Sequence, residues 1–534
     1  MGSSQFRPAS PDTSFQTWLD AVGAGSSTDP IGGTFWLSAY AQFPGAISGK
    51  TFDARRATLK MFAPGLPSNF LLLTKGGSAF STGTVAAGGI AAVASITADG
   101  SKGDTQLALT GAGTVVPGFY IVNMDTKVTH NGSGTVQYAG RQLVKITAVG
   151  GGVATLDSLS ALVQDFTSAT LHNVDTKVME GCTIYLPNVR GCFGEGQADA
   201  LRMASPLWLG YLYNCDVYYP RVNGSSDSAV KFALCCAVNV YYPNAIHILG
   251  SSTRYGVECY SCAHMVVDGG RGWDTRMFNQ CQGGCGDITY KNAVHRQDWS
   301  QLDAEGLIDV GHGFGDQDIH VESCIGTRIT IANPSWRLGS FGAEVTDCDC
   351  LQLQVYPLAE ATISGCTVGE LLLHTEPDGS DGLGDLTVTS CDISNTTFAA
   401  RAGHACASMT GSGDHFLPDS LTFTGCTFTQ GEATDLIADL THENPTGTAL
   451  LSFTNCTFNS SGADDYISLG GSGDVDVTLD GCNFQGSTGY PLTVGGTITG
   501  TATVSGCVRT ISGTPTEISS GDLDLGSMSG VDPL

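Results

Sequence analysis

One stretch of the chain concentrates side chains able to move protons: HRQDWSQLDAEGLIDVGHGFGDQDIHVESCIGTRIT, residues 295–330. It holds Asp303, Glu305, Asp309, His312, His320 and Glu322, with Arg296 and Arg328 inside it and Arg276 upstream. Two carboxyls about 5–9 Å apart can act as acid plus base or nucleophile in glycoside hydrolysis. Alternatively, a basic residue could abstract the proton beside a uronic-acid carboxylate while Arg276, Arg296 or Arg328 stabilises the enolate. Asp303, Glu305, Asp309, His312, Arg276 and Arg296 are therefore the candidate catalytic residues. The bland reading is that outward Asp and His serve solubility alone. Aromatic residues crowd the same region. Four of the six tryptophans are Trp208, Trp273, Trp299 and Trp336, and tyrosines cluster at 211, 213, 218, 219, 241 and 242. Exposed rings offer flat faces to sugar C–H groups while polar neighbours take the hydroxyls. Trp208, Tyr241, Trp273, Trp299, His320, Glu322 and Trp336 are the expected substrate contacts, although core and corner packing accounts for about half of the aromatics.

Such residues need elements to hold them, and the chain repeats one phrase: ATISGCTV (361–368), LTVTSCDI (386–393), LTFTGCTF (421–428), LSFTNCTF (451–458), VTLDGCNF (477–484) and ATVSGCVR (502–509). In 421–428, Leu421 and Phe423 alternate with Thr422 and Thr424, as a strand's period of two requires. Gly425, free to take positive φ, turns the chain. Cys426 and Phe428 then resume the apolar set. One such unit cannot bury its apolar side alone, but stacked copies can. The cysteine spacings vary (366 to 391, 391 to 426, 426 to 456) while the phrase stays constant. That suits a coil with fixed corners and variable loops rather than a propeller blade. By the same parity Ile308 and Val310 fill the core and Asp309 faces out, and Ile319 and Val321 place His320 and Glu322 outside.

The expected fold is all-β: a right-handed parallel β-helix with a short N-terminal capping helix and an inserted small antiparallel β domain. Residues 1–12 form an arm. Residues 13–71 carry the helix DTSFQTWLDAV, with its stripe Phe15, Trp18, Leu19 and Val22, and the first coils. Short alternating strands with glycine turns mark 72–178 as the insert. Coils run over 179–515, and 516–534 is an extended or partner-bound tail.

The 534 residues include 71 glycines and 19 cysteines, and the formal net charge is −27. Residues 338–534 carry 25 acids against only Arg401 and Arg509. An acidic total argues against nucleic acid, whose phosphates need a basic stripe. No run of 18 apolar residues suggests a membrane span. The start MGSSQFRPASPDTSFQTWLD shows no apolar signal segment. Synthesis in a reducing cytoplasm, with cysteines as buried apolar filler, is expected. Cys259/Cys262 and Cys281/Cys285 could ligate zinc, but the chain already uses cysteine as filler. The D-x-D pairs Asp347/Asp349 and Asp474/Asp476 could chelate calcium, but a strand puts both carboxylates on one solvated face. No cofactor and no metal are expected.

The chain resembles bacteriophage tailspikes with a pectate-lyase-like β-helix. SFQTWLDAV followed by GTFWLS and GKTFDARRATLKM looks like the capping helix and first coil that open such spikes. SKGDTQLALTGAGTVVPGFYIVNMD and RQLVKITAVGGGVATLDSLSA are similar to the small β domain many of them insert there. GLIDVGHGFGDQDIHVESC is similar to a D-x-H element on a mid-helix coil, with Asp309 and His312 the nearest match at D-x-x-H spacing. The resemblance implies a homotrimeric virion tail protein, made in the host cytoplasm, that binds host surface polysaccharide (O-antigen or capsule) and often cleaves it. Attachment to other tail proteins would fall to the N-terminal arm. The alternatives are a tail adhesin that binds glycan without cleaving it, and a secreted pectinase-like enzyme, which the absent signal segment disfavours.

Overall fold

The structure, a computed structural model, describes residues 10–61, 72–74, 90–96, 98–110, 114–130, 136–190, 205–225, 228–248, 255–296, 306–310, 316–331, 342–355, 360–374, 384–394, 406–410, 417–430, 438–443, 447–460 and 465–531. The chain divides into two compact units, residues 1–319 and 320–534. Both are parallel β-helices. Among the described residues no helix is long and apolar enough to cross a membrane.

In the first unit the helix Ser14–Gly23 buries Phe15, Leu19 and Val22. Trp18 is half-buried and donates its indole N–H to the Asp29 carbonyl at 2.9 Å. The stripe covers the first coils: Phe15 meets Phe35, and Trp18 meets Phe52. The chain enters the solenoid through Gly32–Leu37, paired with Arg56–Met61. It leaves after Leu72–Thr74, a solenoid strand paired with Ala41–Phe43 and Leu207–Gly210. It returns at Met179–Glu180, which slots between Ile47–Ser48 and Leu212–Tyr218.

The excursion is a closed antiparallel barrel of six strands lying between Ala92 and Asn173. Alternating residues such as Val122, Val144, Ile146 and Leu171 fill its interior. Its underside packs on the solenoid. Ile121, Leu143 and Val163 join Tyr211, Tyr213, Cys236 and Ala263 in one buried cluster. Gly286 lies under Val163 so closely that a Cβ there would sit 2.4 Å from the Val163 Cβ.

After the barrel each coil of this unit contributes three strands. Leu212–Tyr218, Arg221–Ser225 and Ser228–Ala233 make one coil. Cys236–Tyr241, Asn244–Ile248 and Tyr255–Tyr260 make the next, stacked in parallel register on the first.

In the second unit the repeated phrase is the rung. Cys324, Cys348, Cys366, Cys391, Cys426, Cys456, Cys482 and Cys507 are all buried thiols, and they line up at one corner. The backbone N–H groups of Cys324, Cys348 and Cys482 each point at the sulfur one rung on, 3.4–3.5 Å away. The residue before each cysteine takes left-handed backbone: Ser323, Asp347, Gly365, Ser390, Gly425, Asn455, Gly481 and Gly506 have φ between 52° and 63°. Asp347 is therefore a corner residue, not an outward strand residue paired with Asp349 as strand parity predicts. Beyond the corner, Phe428, Phe458 and Phe484 stack inside at 4.9 and 4.7 Å. The tail folds back: Thr514–Glu517 pairs antiparallel with Val508–Ile511, and Ser529–Val531 adds to Thr501–Ser505.

Candidate functional site

The first unit turns one corner with a proline-bearing phrase: IYLPNVR (184–190), VYYPRVN (217–223) and VYYPNAI (240–246), continued without tyrosine as VDGGRGW (267–273). Parallel register stacks these phrases. Tyr185, Tyr218 and Tyr241 project from the strand before the corner and stack face to face. The centroid distances are 4.8 and 4.7 Å, with ring planes 25° and 18° apart. Tyr219 and Tyr242 occupy the corner itself, with φ of 57° and 55°, and form a second stack at 5.8 Å. Gly269 holds the corresponding corner on the next rung at φ 73°, and a Cβ there would meet the Tyr242 ring at 2.9 Å. At one end of the first ladder the Arg55 guanidinium lies 4.1 Å from the Tyr185 centroid. The same group bonds Asp53 at 2.7 and 2.9 Å and holds that carboxyl below the usual range. At the other end Asp268 follows Tyr241 in register, 3.6 Å from the Lys291 ammonium.

Past the corner the chain enters short strands whose middle residues, Val189, Val222 and Ala245, point inward. Their neighbours face out in two rows. One row reads Asn188, Arg221, Asn244, Arg271 on successive rungs. The other reads Arg190, Asn223, Ile246, Trp273. Asn188, Arg190, Arg221, Asn223, Asn244 and Ile246 line a concavity of about 210 Å³. Trp273 stands 53 % exposed at its edge, beside the His247 Nδ1, which lies 2.8 Å from the Asp274 carboxylate. The site thus offers the edges of the stacked tyrosines, the exposed Trp273 ring, amides and guanidinium groups along one strip. It has the chemistry to stack on sugar rings and to bond hydroxyl or acidic oxygens.

Of the expected contacts, Tyr241 and Trp273 stand on the two arms of this corner. Trp208 does not belong to an open surface. It is 8 % exposed, with the Lys231 ammonium 5.4 Å from its ring. Lys231 is held there by the buried carboxylate of Glu258 at 2.6 Å, which also accepts from Ser228 and Gln282. Trp208, Lys231, Glu258, Gln280 and Asp309 follow one another in register on the long strands of the coils. The backbone position of Asp309 is thus two rungs, roughly 9.6 Å, from that of Glu258. The side chains of Asp309 and Arg296 lie outside the described residues, as do Trp299, Asp303, Glu305, His312 and Trp336 altogether. Arg276 is half-buried just before the strand Met277–Gln282, and its carbonyl accepts the Gly306 N–H at 2.5 Å. His320 and Glu322 belong to the second unit. There Glu322 is exposed and His320 pairs with Glu344 at 3.2 Å. Among the described residues no group of three or more His, Cys, Asp or Glu is placed to hold a metal ion. The Cys262 backbone N–H donates to the Cys285 sulfur at 3.4 Å in a corner column, while Cys259 and Cys281 are register partners inside the coil.

The composition-based reading missed Asn188, Arg190, Arg221, Asn244 and Arg271, though their signal was in print. VYYP occurs twice, 23 residues apart, and IYLP and VDGG hold the same place on neighbouring rungs.

No family model and no curated protein matches the chain. Among solved structures it is similar to the tailspike protein gp49 of Pseudomonas phage LKA1, with TM-score 0.51, 13% identity, and coverage of 90% of this chain and 75% of that one. It is likewise similar to the gp54 tailspike of Acinetobacter baumannii bacteriophage AP22, solved in complex with A. baumannii capsular saccharide. There the TM-score is 0.50 at 11% identity, covering 92% of this chain and 82% of that one. What the chain shares with these phage tailspikes is the fold, a parallel β-helix.

Proposed function

We propose that the protein is a phage tailspike that recognises host cell-surface polysaccharide and depolymerises it. The observation that carries this reading is the half-buried ladder of Tyr185, Tyr218 and Tyr241, whose ring edges lead directly into a groove of asparagine and arginine. Parallel coils repeat at about 4.8 Å, so one side chain per coil gives a track on which successive sugars can lie. The similarity to tailspike structures, one of them holding a capsular saccharide, supports the assignment of partner class. Cleavage falls to Asp303, Glu305 and Asp309 as acid and base or nucleophile, with His312, Arg276 and Arg296 for the alternative of proton abstraction beside a uronate. The active form is a homotrimer in the virion tail, joined to other tail proteins through residues 1–12.

Incubation of the purified protein with host lipopolysaccharide or capsule should release oligosaccharides, read by mass spectrometry. Hydrolysis and elimination leave products one water mass apart. Absence of product from a panel that includes the true host would refute cleavage. The absence of any carboxylate from the two rows of the groove favours a second reading, an adhesin that binds without cutting. It predicts saturable binding to host cells with no product, and Asp309→Ala or Glu305→Ala without effect on infection blocking.

A further inference from the structure

We infer that the groove beyond the tyrosine corner selects an acidic polysaccharide, one bearing carboxylates such as uronic acids. This rests on the glycan-binding reading above and specifies its substrate class. The starting point is charge. The chain has 51 acids against 24 lysines and arginines, so most cations on its surface should find a carboxylate. Several other cations of the first unit do: Arg55 bonds Asp53, Lys291 lies by Asp268, and Lys231 bonds Glu258. Arg190, Arg221 and Arg271 do not. Among the described residues none of the three has a carboxylate partner, and the only partner described for any of them is the Tyr219 ring, 5.2 Å from the Arg221 guanidinium.

The three arginines are also placed together. Arg221 and Arg271 share a row, separated by Asn244, and stand about 9.6 Å apart along the stack. Arg190 stands one rung before Arg221 in the adjoining row. All three are exposed, and the residues in register between them are asparagines and Ile246 rather than acids. A planar guanidinium forks onto a carboxylate with two parallel bonds, while amides accept and donate to hydroxyls. Alternation of guanidinium and amide up the stack therefore matches a chain in which carboxylates recur between hydroxyl-bearing positions. Like charges left unpaired on adjoining rungs repel one another, and a polyanion removes that repulsion. The exposed Trp273 closes the row with an apolar face for the ring of a bound sugar.

The test is affinity electrophoresis of the full chain through gels containing alginate, polygalacturonate, the carboxyl-reduced form of each, or dextran. We expect retardation by at least one polyuronate, its abolition on carboxyl reduction, and its weakening as salt rises. Arg221→Gln and Arg271→Gln should each weaken the apparent affinity roughly tenfold, since a charge-assisted bond is lost. Both residues are exposed, so unchanged thermal unfolding should accompany the loss. With a net charge of −27 the protein as a whole repels polyanions, so retardation reports a local site. Equal retardation by reduced and unreduced polymer, or undiminished binding by the variants, would overturn the inference while leaving glycan binding intact. Binding of dextran or a reduced polymer without binding of either polyuronate would do the same. Retardation by none of the five overturns it too, and the glycan-binding reading then stands or falls on host polysaccharide alone.

Discussion

At the scale of single residues, two histidines show how the same side chain is set to opposite protonation by its surroundings. His264 has φ 53° and points out of its strand at the barrel. Its Nδ1 lies 2.6 Å from Asp287 and its Nε2 lies 2.9 Å from the Ala161 carbonyl. Both partners are acceptors, so only the doubly protonated ring satisfies both. Burial opposes that charge, but the Asp287 bond and the carbonyl outweigh it and the pKa is raised. The stability His264 contributes is fully present below its unfolded pKa of about 6.5 and is lost as pH rises through the folded value. His295 is buried, its Nε2 lies 3.2 Å from the Thr275 carbonyl and 3.1 Å from the Thr275 hydroxyl, and burial pushes its pKa down to about 4. Its neutral form is the stable one, so stability falls as pH drops from about 6.5 towards 4, by roughly 3 kcal/mol in all at ~1.4 kcal/mol per pKa unit. Melting temperatures of wild type and His264→Gln across pH 5–8 should converge at the alkaline end, at about the pH range where His264 deprotonates. A parallel offset at every pH would show that the imidazolium has no part in docking the barrel. For binding, Tyr241→Ala should weaken retardation by host polysaccharide by roughly five- to tenfold, the worth of one aromatic contact. The ring lies outside the core, so the melting temperature should stay nearly constant.

At the scale of elements, the corners are what make a strand into a rung. The position before the corner cysteine needs φ near +55°, where an L-residue's Cβ costs roughly 1–2 kcal/mol. Glycine, serine, aspartate and asparagine share the job along the column. Gly481 has the further constraint that a Cβ would stand 2.4 Å from the Asn455 Oδ1 on the rung before. Gly481→Ala should therefore lower stability by about 1–3 kcal/mol, read as a shift of the denaturant midpoint. Asn455→Gly, at φ 53°, should be neutral or stabilising. A Gly481→Ala midpoint at the wild-type value would mean that the corner tolerates a side chain. Gly286→Val tests the barrel's seat, since the new methyls would occupy the space of Val163. The expected result is easier proteolysis between barrel and solenoid, with the solenoid's own unfolding little changed.

At the scale of the whole molecule, the charge is lopsided: residues 338–534 hold 25 acids and two arginines, whereas the first 337 residues are close to balanced. A polyanionic ligand would be repelled by the former and admitted by the arginine rows of the latter. Sedimentation of the full chain at micromolar concentration should give a trimer, the closed assembly proposed above; a stable monomer would contradict it.

Much of the architecture is written in local signals. The alternation of Leu421, Phe423 and Phe428 with threonines specifies strands and their inner face, and Gly425 or Asn455 marks a corner, because φ/ψ preference and side-chain period belong to the residue itself. The recurrence of Cys426, Cys456 and Cys482 then announces stacking. Composition alone could not show which outward residues share a surface. Tyr218 and Tyr241 are 23 residues apart in the chain but 4.7 Å apart as rings, and Arg221 meets Asn188 and Asn244 only through inter-coil register. Whether an aromatic is a platform or a buried post is likewise decided by what covers it. Trp273 is open and Trp208 is closed under Lys231, although both were legible only as tryptophans. Local preference sets each rung; packing between rungs, a sum over contacts distant in sequence, sets the site.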